Sequence, residues 1–315
     1  MPSRRANLRM LVPGAALALS ACGGGGDGIN SVGTNPAAPP AAAGNETLTN
    51  LVASQTFDTA STTLTGTFTD PRDVPSGVTT SQSAGFGKGV SLSYDAAAKS
   101  YTISINQGGI ADSVSYTEAQ LDKDPARGFT EYERHAANGD DTELTLRTAG
   151  SAGSNLSYVS YGLWERDVDQ PGDADVERWA TFVYGLRTPG TALPTTGSAS
   201  YTGSVDGLWT SATASYRLSG TAAITANFAG NQVNGTLDIS GRDRETNAVV
   251  AMDRLTGAAA LNRTDASFAG TVAGANGFAG NWQGGLFGPG AQEVGGTFSV
   301  SRGADEAVGV FVGGR

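Results

Sequence analysis

Cysteine and histidine are almost absent from this chain of 315 residues, which has one of each. A single cysteine, Cys22, cannot close an intramolecular disulfide, and without a second histidine or thiol a zinc site with nitrogen and sulfur ligands is excluded. The sequence leaves two interpretations open for the histidine, His135: an exposed loop residue or an axial ligand to haem. The Gly-x-Ser-x-Gly pattern of a nucleophile elbow is also absent, and no other catalytic constellation stands out, so we predict that the chain is not an enzyme.

Long hydrophobic runs are missing as well. The apolar stretch over residues 10–19 is shorter than the roughly 20 residues of a membrane-spanning helix. Because three arginines precede it, we predict a secretory signal peptide over residues 1–21. Its end, Leu19-Ser20-Ala21-Cys22, resembles the bacterial lipobox, in which small residues precede a cysteine that receives lipid. This resemblance predicts cleavage before Cys22 and lipidation, including palmitate, at that residue.

Residues 22–48 contain almost nothing that could form a core. They are rich in glycine, proline and alanine, a composition typical of a flexible tether. The residue after Cys22 is Gly23, whereas Asp at this position is the usual signal for retention in the inner membrane of enteric bacteria. The prediction is therefore an outer-membrane protein, held by its lipid and facing the cell exterior.

Charged residues make up only 16% of the chain, and acidic residues exceed basic ones by 30 to 20. An acidic surface argues against nucleic acid as a partner. It suits a basic partner, and it equally suits plain solubility.

The composition predicts an all-β fold. Short runs of β-branched or aromatic residues, broken by Gly, Asp, Asn and Pro, predict a small β-rich domain over residues 49–190. The strict alternation of residues 101–105 indicates a half-buried strand that forms a hairpin with residues 91–94. Residues 115–126 are ambiguous between a helical turn and a loop.

The acidic residues of this region are densest between residues 167 and 177. We interpret this segment as a solvated loop between two strands. Its spacing does not match an EF-hand, although a weak calcium site or a docking patch for a basic partner stays open.

From residue 191 the pattern becomes regular. Ten short runs alternate apolar residues with Ser, Thr and Gly, and turn-prone pairs such as Gly230-Asn231, Asn276-Gly277 and Arg302-Gly303 separate several of them. Eight to ten such strands suit an antiparallel barrel or a sandwich, and small residues on one face favour the barrel. The mixed charges over residues 238–245 indicate an exposed hairpin end.

Aromatic residues flank the acidic segment on two adjacent strand-like runs. They have two interpretations, as core or inter-domain packing, or as an exposed patch of ligand contacts in which His135 also takes part. The aromatic candidates for ligand contact are Tyr158, Tyr161, Trp164, Trp179 and Tyr184.

The end of the chain carries a family resemblance. Residues 285–300, Gly-Leu-Phe-Gly-Pro-Gly-Ala-Gln-Glu-Val-Gly-Gly-Thr-Phe-Ser-Val, followed by Ala-Val-Gly-Val-Phe, resemble the close of the transferrin-binding protein B barrel. Residues 193–203 resemble the entry to the same barrel. In this motif we expect Glu293 to cap or bridge a loop, Gly295 and Gly296 to permit a bend or close backbone approach, and Phe298 to fill the barrel.

The resemblance implies one lobe, a β-rich handle at 49–190 followed by an eight-stranded barrel at 191–315. It implies a surface lipoprotein that binds a protein or small ligand in iron- or haem-related acquisition, together with a TonB-dependent receptor and a surface-export barrel as partners. No resident cofactor is expected, with haem as the alternative that His135 keeps open. A structural lipoprotein of the envelope, without a soluble ligand, is the competing interpretation.

Overall fold

A computed structural model describes residues 44–69, 74–75, 80–124, 128–136, 140–151, 154–169 and 174–315. The predicted signal peptide, Cys22 and nearly all of the predicted tether lie outside these ranges. Among the described residues, none belongs to a helix with the length and apolar character needed to span a bilayer. Residues 42–315 form one compact unit, and the structure described is almost entirely β.

Twelve strands of the described part precede residue 190. They are β1 (Gln55–Asp58), β2 (Ala60–Thr69), β3 (Val74–Pro75), β4 (Thr80–Ala84), β5 (Val90–Asp95), β6 (Ser100–Gln107), β7 (Ile110–Tyr116), β8 (Leu121–Asp124), β9 (Phe129–His135), β10 (Asp141–Arg147), β11 (Val159–Asp169) and β12 (Ala174–Gly185). They form a small sheet in the order β1-β5-β6-β7 and a larger one in the order β3-β2-β12-β11-β10-β9-β8, with β4 also paired to β2. The sheets enclose a shared core that includes Phe57, Ile103, Trp164 and Phe182. This is the handle.

The strongest strand prediction of the handle is confirmed. Ile103 and Ile105 are buried in β6, and β6 pairs with β5 as the second arm of a hairpin. The ambiguous segment resolves into the end of β7, a single 3-10 turn (Glu118–Gln120) and β8. A capping box explains that turn, since the Thr117 hydroxyl accepts from the Ala119 amide and Gln120 reaches back to the Thr117 amide.

The acidic segment was predicted wrongly as a long loop. Asp167 and Asp169 belong to β11, and Asp175 and Glu177 belong to β12, with Asp167 opposite Glu177 and Asp169 opposite Asp175. The strands continue because the hairpin ladder supplies backbone hydrogen bonds regardless of side-chain charge. The barrel also supplies a cation, as the Arg244 Nη1 atom lies 3.6 Å from the Glu177 carboxylate.

Eight antiparallel strands then close into a barrel, which confirms the predicted fold class. They are β13 (Ser198–Thr210), β14 (Ser215–Asn227), β15 (Gln232–Asp243), β16 (Val249–Asn262), β17 (Ser267–Gly274), β18 (Ala279–Phe287), β19 (Glu293–Arg302) and β20 (Asp305–Gly314). Each strand pairs with the next, and β13 pairs with β20. Closure leaves this sheet without edges.

Ten predicted runs become eight strands because two apparent breaks lie inside strands. Gly220 sits within β14, where a Cβ atom would lie 2.0 Å from the Asp238 carbonyl oxygen, and Gly257 sits within β16, 2.9 Å from the Trp282 ring by the same measure. These glycines therefore permit close approach within the sheet and do not make turns. The three predicted turn pairs do lie at junctions between strands, where Asn231, Gly277 and Gly303 have positive φ.

The barrel is filled by side chains from every strand. Its core includes Phe268, Trp282, Phe298 and Phe311, all essentially inaccessible to solvent. The expectation for Phe298 is thus confirmed. So is close backbone approach at Gly296, since a Cβ atom there would lie 2.3 Å from the Gln283 carbonyl oxygen.

One side of the barrel packs against the handle. The outward side chains of Val308, Val310 and Val312 on β20 are buried in clusters with handle residues such as Val159 and Trp179. We call this contact the seam. The outward residues of β14 to β17 are largely exposed and small, and we call that side the bare face.

Candidate functional site

A buried glutamate latches the handle to one end of the barrel. Glu293, the first residue of β19, accepts hydrogen bonds from the backbone amides of Ser157, Tyr158 and Val159 at 2.7, 2.8 and 2.8 Å. Charge-assisted bonds of this kind are stronger than neutral ones. The expectation that Glu293 bridges a loop is confirmed.

The seam has further polar contacts along its length. Gln283 Nε2 donates to the Ala84 carbonyl at 2.5 Å, and the Ser81 hydroxyl donates to the Glu306 carboxylate at 2.5 Å. Between Glu293 and Glu306 along the barrel, the Tyr161 hydroxyl donates to Asp206 Oδ2 at 3.2 Å. Handle and barrel are therefore joined by specific bonds as well as by apolar packing.

At the end opposite Glu293, hairpin ends of the handle and of the barrel lie side by side. The strand registers place the ends of β9–β10 and β11–β12 together, and the ion pair between Glu177 and Arg244 brings the barrel hairpin over residues 244–248 to the same place. We call this region the loop end. It combines residues that are distant in sequence, as a ligand-binding surface on loops does.

A cleft of about 300 Å³ opens in the seam near the loop end. Glu131, Glu143 and Glu165 line it from the handle, and Arg217 and Arg244 line it from the barrel. Trp179 lies against it, with the Arg244 guanidinium 6.0 Å from the ring centroid. The cleft thus has a carboxylate wall facing a guanidinium wall.

Two carboxyl groups near this cleft have pKa values above the ordinary values of Glu and Asp. Burial raises the pKa of Glu165, and the nearby Glu143 and Asp167 add to the rise while Arg244 opposes it. Burial likewise raises the pKa of Asp206, although Arg217 and the Gly207 amide act in the other direction. Both groups hold protons more tightly in the folded protein than in the unfolded chain.

An apolar patch lies on the barrel side of the loop end, and sequence reasoning missed it. Val249 is 60% exposed and Val250 39% exposed. Arg242 is directly opposite both Val249 and Arg217 in the sheet. The available signal was two adjacent valines directly after a charged turn, which the alternation of a half-buried strand does not predict.

Below this patch is an aromatic pair. Trp209 stacks on Tyr216 with a centroid distance of 4.2 Å, and Trp209 also meets the edge of Phe278. Tyr216 is only partly buried, so the pair reaches the barrel rim. We call Arg217, Arg242, Val249 and Val250, with Tyr216 behind them, the rim patch.

His135 lies at the last position of β9, at the loop end, with 71% of its side chain exposed. Its Nδ1 atom is 3.0 Å from Asp141 Oδ1, and its Nε2 atom is 3.9 Å from the Glu133 carboxylate. In the part of the chain that the structure describes, no group of three His, Cys, Asp or Glu side chains is arranged to hold a metal ion.

Most of the aromatic candidates for ligand contact lie inside the structure. Trp164, Trp179, Tyr161 and Tyr184 are all buried, and only Tyr158 is partly accessible. They pack the handle core and the seam, which is the first of the two interpretations. Their polar atoms fit this role, as the Trp164 indole donates to the Tyr116 hydroxyl at 3.1 Å.

The barrel is the part of the chain that matches known proteins in sequence. Residues 193–315 match the family model for the C-lobe and N-lobe beta barrels of Tf-binding protein B. Transferrin-binding protein B of Haemophilus influenzae strain Rd is 33% identical over 91 residues, which are 26% of this chain and 15% of that protein. The same protein from strain 86-028NP is 38% identical over 50 residues, 16% of this chain and 8% of that protein. The alignments thus span a small part of the curated relatives.

Solved structures with similar folds include the isotype 1 transferrin binding protein B from serogroup B Neisseria meningitidis. It is 23% identical with a TM-score of 0.41, over 65% of this chain and 38% of that one. The haemoglobin receptor from Kingella denitrificans is 20% identical with a TM-score of 0.35, over 83% of this chain and 86% of that one. The family match and the curated relatives confirm the resemblance predicted from the terminal motif: residues 193–315 match the barrels of transferrin-binding protein B.

Proposed function

We propose that this chain is a non-catalytic binding lobe displayed on the outer membrane and anchored through lipid on Cys22. The observation that carries the proposal is the family match of residues 193–315, on a barrel that is joined to a β-rich handle. The lipobox-like sequence before Cys22 supports the anchor, and residues 22–48 supply the reach to hold the lobe clear of the lipid.

The proposed ligand is a host protein that carries iron or haem. The relatives that share the barrel are transferrin-binding proteins, and a haemoglobin receptor is among the solved structures of similar fold. A lobe of this kind passes its cargo to a TonB-dependent receptor and reaches the surface through an export barrel. Direct haem binding is the narrower alternative, with His135 as the axial ligand.

We place the ligand contact at the loop end, on the rim patch. Interfaces are enriched in arginine and aromatic residues around an apolar centre, and this composition is found there. Val249 and Val250 supply apolar area that is already exposed, while Arg217 and Arg242 place two guanidinium groups side by side on adjacent strands.

The binding experiment uses the purified chain against iron-loaded transferrin, haemoglobin and free haem. We expect one of the two proteins to bind. A variant with Val249→Ser, Val250→Ser and Arg242→Ala should weaken that binding at least about tenfold, as expected for loss of central contacts. The matched control, Thr225→Ser and Asn234→Ser on the bare face, should leave it unchanged.

Two results count against the proposal. If none of the three probes binds and serum yields no retained protein, the structural role in the envelope becomes the better interpretation. If haem alone binds and His135→Ala abolishes its Soret shift, the narrower alternative replaces protein capture.

The anchor is tested in cells. Labelled palmitate should enter the chain and should be absent from a Cys22→Ala variant. Protease added to intact cells should cleave the chain if it faces the exterior. Labelling of the Cys22→Ala variant, or full protection from protease, would contradict the anchor or the orientation respectively.

A further inference from the structure

The handle wall of the cleft follows from the alternation of side chains on β10 and β11. Leu144 and Trp164 point into the handle core. Their neighbours in sequence, Glu143 and Glu165, therefore face the barrel. The strand register places these two glutamates directly opposite each other. Two carboxylates thus stand side by side on the wall that the handle contributes.

Each of these carboxylates is held by a donor that carries no charge. The Thr145 hydroxyl donates to Glu143 Oε1 at 2.6 Å. The Trp179 indole donates to the Glu165 carboxylate. A neutral donor fixes the position of a carboxylate and leaves its negative charge in place. The handle wall therefore presents ordered, negatively charged oxygens to the space in front of it.

The barrel wall of the cleft carries the opposite charge. Arg217 of β14 and Arg244 of the hairpin after β15 line it. Arg244 also lies 3.6 Å from the carboxylate of Glu177, which is outside the lining of the cleft. A guanidinium group carries five N–H donors, so one ion pair does not exhaust its capacity for carboxylate oxygens.

The floor of the cleft is apolar and joins its two walls. Leu163 and Trp179 contribute to it from the handle, and Leu208 contributes from the barrel. Trp179 and Leu208 pack in one buried cluster, and the Tyr161 hydroxyl bonds Asp206 across the seam close by. This packing and this bond set the separation of the two walls, whose charges attract each other. The space of about 300 Å³ is consequently preformed, as ligand sites usually are.

The ligand that complements this cleft has a positive and a negative group close together on a small apolar body. Carboxylates bind an ammonium group through charge-assisted hydrogen bonds, and guanidinium groups bind a carboxylate in the same way. The volume of about 300 Å³ is at the lower end of the range for ligand pockets. It suits a molecule of the size of one amino acid.

We propose that the cleft is a second binding site, for a free α-amino acid with an apolar side chain. Glu143 and Glu165 bind its ammonium group. Arg217 and Arg244 bind its carboxylate, and its side chain lies against Trp179. The site adjoins the rim patch through Arg217, but its ligand is a small molecule, so it does not depend on the capture of a host protein. Because the amino acid contacts handle and barrel together, it stabilises the folded chain by mass action.

Four derivatives of one side chain test the two walls without any change to the protein. L-leucine carries both charges, leucinamide only the positive one, N-acetylleucine only the negative one, and N-acetylleucinamide neither. Each is titrated into the purified chain by calorimetry at about pH 7 and up to about 10 mM, a range that detects millimolar dissociation constants. We expect leucine to bind at least about tenfold more tightly than either singly charged form, because it alone uses both walls. N-acetylleucinamide should not bind measurably.

Variants of the two walls assign the charged groups. Glu143→Gln with Glu165→Gln should weaken leucine binding at least about tenfold, to the level of N-acetylleucine. Arg217→Gln should weaken it toward the level of leucinamide. The matched control is Glu133→Gln, since Glu133 is the next cross-strand neighbour of Glu143 on the same face and does not line the cleft. This control should leave leucine binding unchanged.

Several outcomes would overturn the proposal. Equal binding of leucine and N-acetylleucinamide would reduce the cleft to an apolar hollow, and equal binding of leucine and leucinamide would remove the role of the guanidinium wall. Absence of binding by all four probes would mean that the walls satisfy only each other. Unweakened leucine binding by the Glu143→Gln, Glu165→Gln variant would place the site elsewhere.

A steric variant replaces the double variant if the latter does not fold. Leu163→Trp adds volume to the floor of the cleft and should abolish leucine binding. Leucine should also raise the unfolding temperature of the parent chain and leave that of Leu163→Trp unchanged. An equal rise in both would contradict binding in the cleft.

Discussion

The seam side and the bare face of the barrel are built from the same ladder of strands and differ in their outward residues. On β20 every outward position from Val308 to Val312 is valine and is buried by the handle. On β14 to β16 the outward positions include Thr225, Asn234 and Thr256, which are exposed. A strand covered on both sides reads as a nearly continuous apolar run, and a strand covered on one side alternates. The outward residues of the barrel therefore indicate which side packs against the handle.

Charge separates the two halves of the chain in a related way. Residues 44–190 contain 20 acidic and 10 basic residues, whereas residues 191–315 contain 9 and 7. The acidic excess belongs to the handle, and at the cleft it meets two of the few arginines of the barrel. The seam consequently combines apolar packing and hydrogen bonds along its length with a cluster of opposite charges at the cleft.

Of the variants that test the difference between the seam and the bare face, Glu293→Ala should lower stability the most. Three backbone amides would lose their acceptor, of which that of Val159 is buried and those of Ser157 and Tyr158 are partly buried. At about 1–3 kcal/mol for each unsatisfied group, less what water restores, we expect a loss of about 3–5 kcal/mol in the free energy of unfolding. Urea unfolding followed by tryptophan fluorescence measures it. Glu293→Gln, which keeps one acceptor oxygen, should lose less. A loss below about 1 kcal/mol for the alanine variant would mean that the latch contributes little.

A reciprocal exchange of valine and threonine tests the two faces directly. Val310→Thr places a hydroxyl in the apolar part of the seam, where no hydrogen-bond partner is provided for it. The free energy of unfolding should fall by about 1–3 kcal/mol. Thr256→Val makes the opposite change on the bare face and should stay within about 0.5 kcal/mol of the parent. Thermal unfolding should show a drop of about 2–4 °C per kcal/mol for the first variant. Equal effects of the two exchanges would remove the distinction between the faces.

Much of the barrel could be predicted from the sequence because its signals are local. Alternating apolar residues and turn pairs mark the strands, and the terminal motif led to Glu293, Gly296 and Phe298 with their roles. The predictions that failed concern positions whose structure depends on residues distant in the sequence. Gly220 reads as a break until Asp238 is placed beside it, and Asp167 and Glu177 read as loop until the hairpin and Arg244 are in place.

The candidate site was harder to predict for the same reason. Whether an aromatic residue packs or binds depends on what covers it, and the handle sheet covers Trp164 and Tyr184 through pairings far apart in the chain. The adjacent valines Val249 and Val250 break the alternation of a strand, but their exposure at the rim depends on how the barrel closes around them. The cleft has no sequence signature, because its two walls come from different halves of the chain.

A smaller effect is expected at Asp265, whose pKa is shifted in the opposite direction to that of Glu165. Partial burial would raise the pKa of this carboxyl, but hydrogen bonds from Ser267 and the nearby Arg187 outweigh it and lower the pKa. Its stabilisation is therefore present at neutral pH and is lost as the pH falls through the folded pKa. Asp265→Asn should unfold at a lower temperature than the parent at neutral pH, and the difference should shrink in acid. A difference that is constant with pH would assign the effect to packing.

The smallest effect is expected on the bare face, at the ion pair between Arg254 and Asp238. Arg254 Nε lies 2.5 Å from Asp238 Oδ1, and Nη2 lies 3.1 Å from Oδ2, but both side chains are largely exposed. Water and salt screen such a pair, and holding two long side chains in place costs entropy. Arg254→Ala should therefore leave the unfolding temperature unchanged at low and high salt. If it lowered that temperature as much as Val310→Thr does, the bare face would have to be covered in solution. The unfolding temperature would then depend on protein concentration, because a face buried between copies stabilises the fold by mass action.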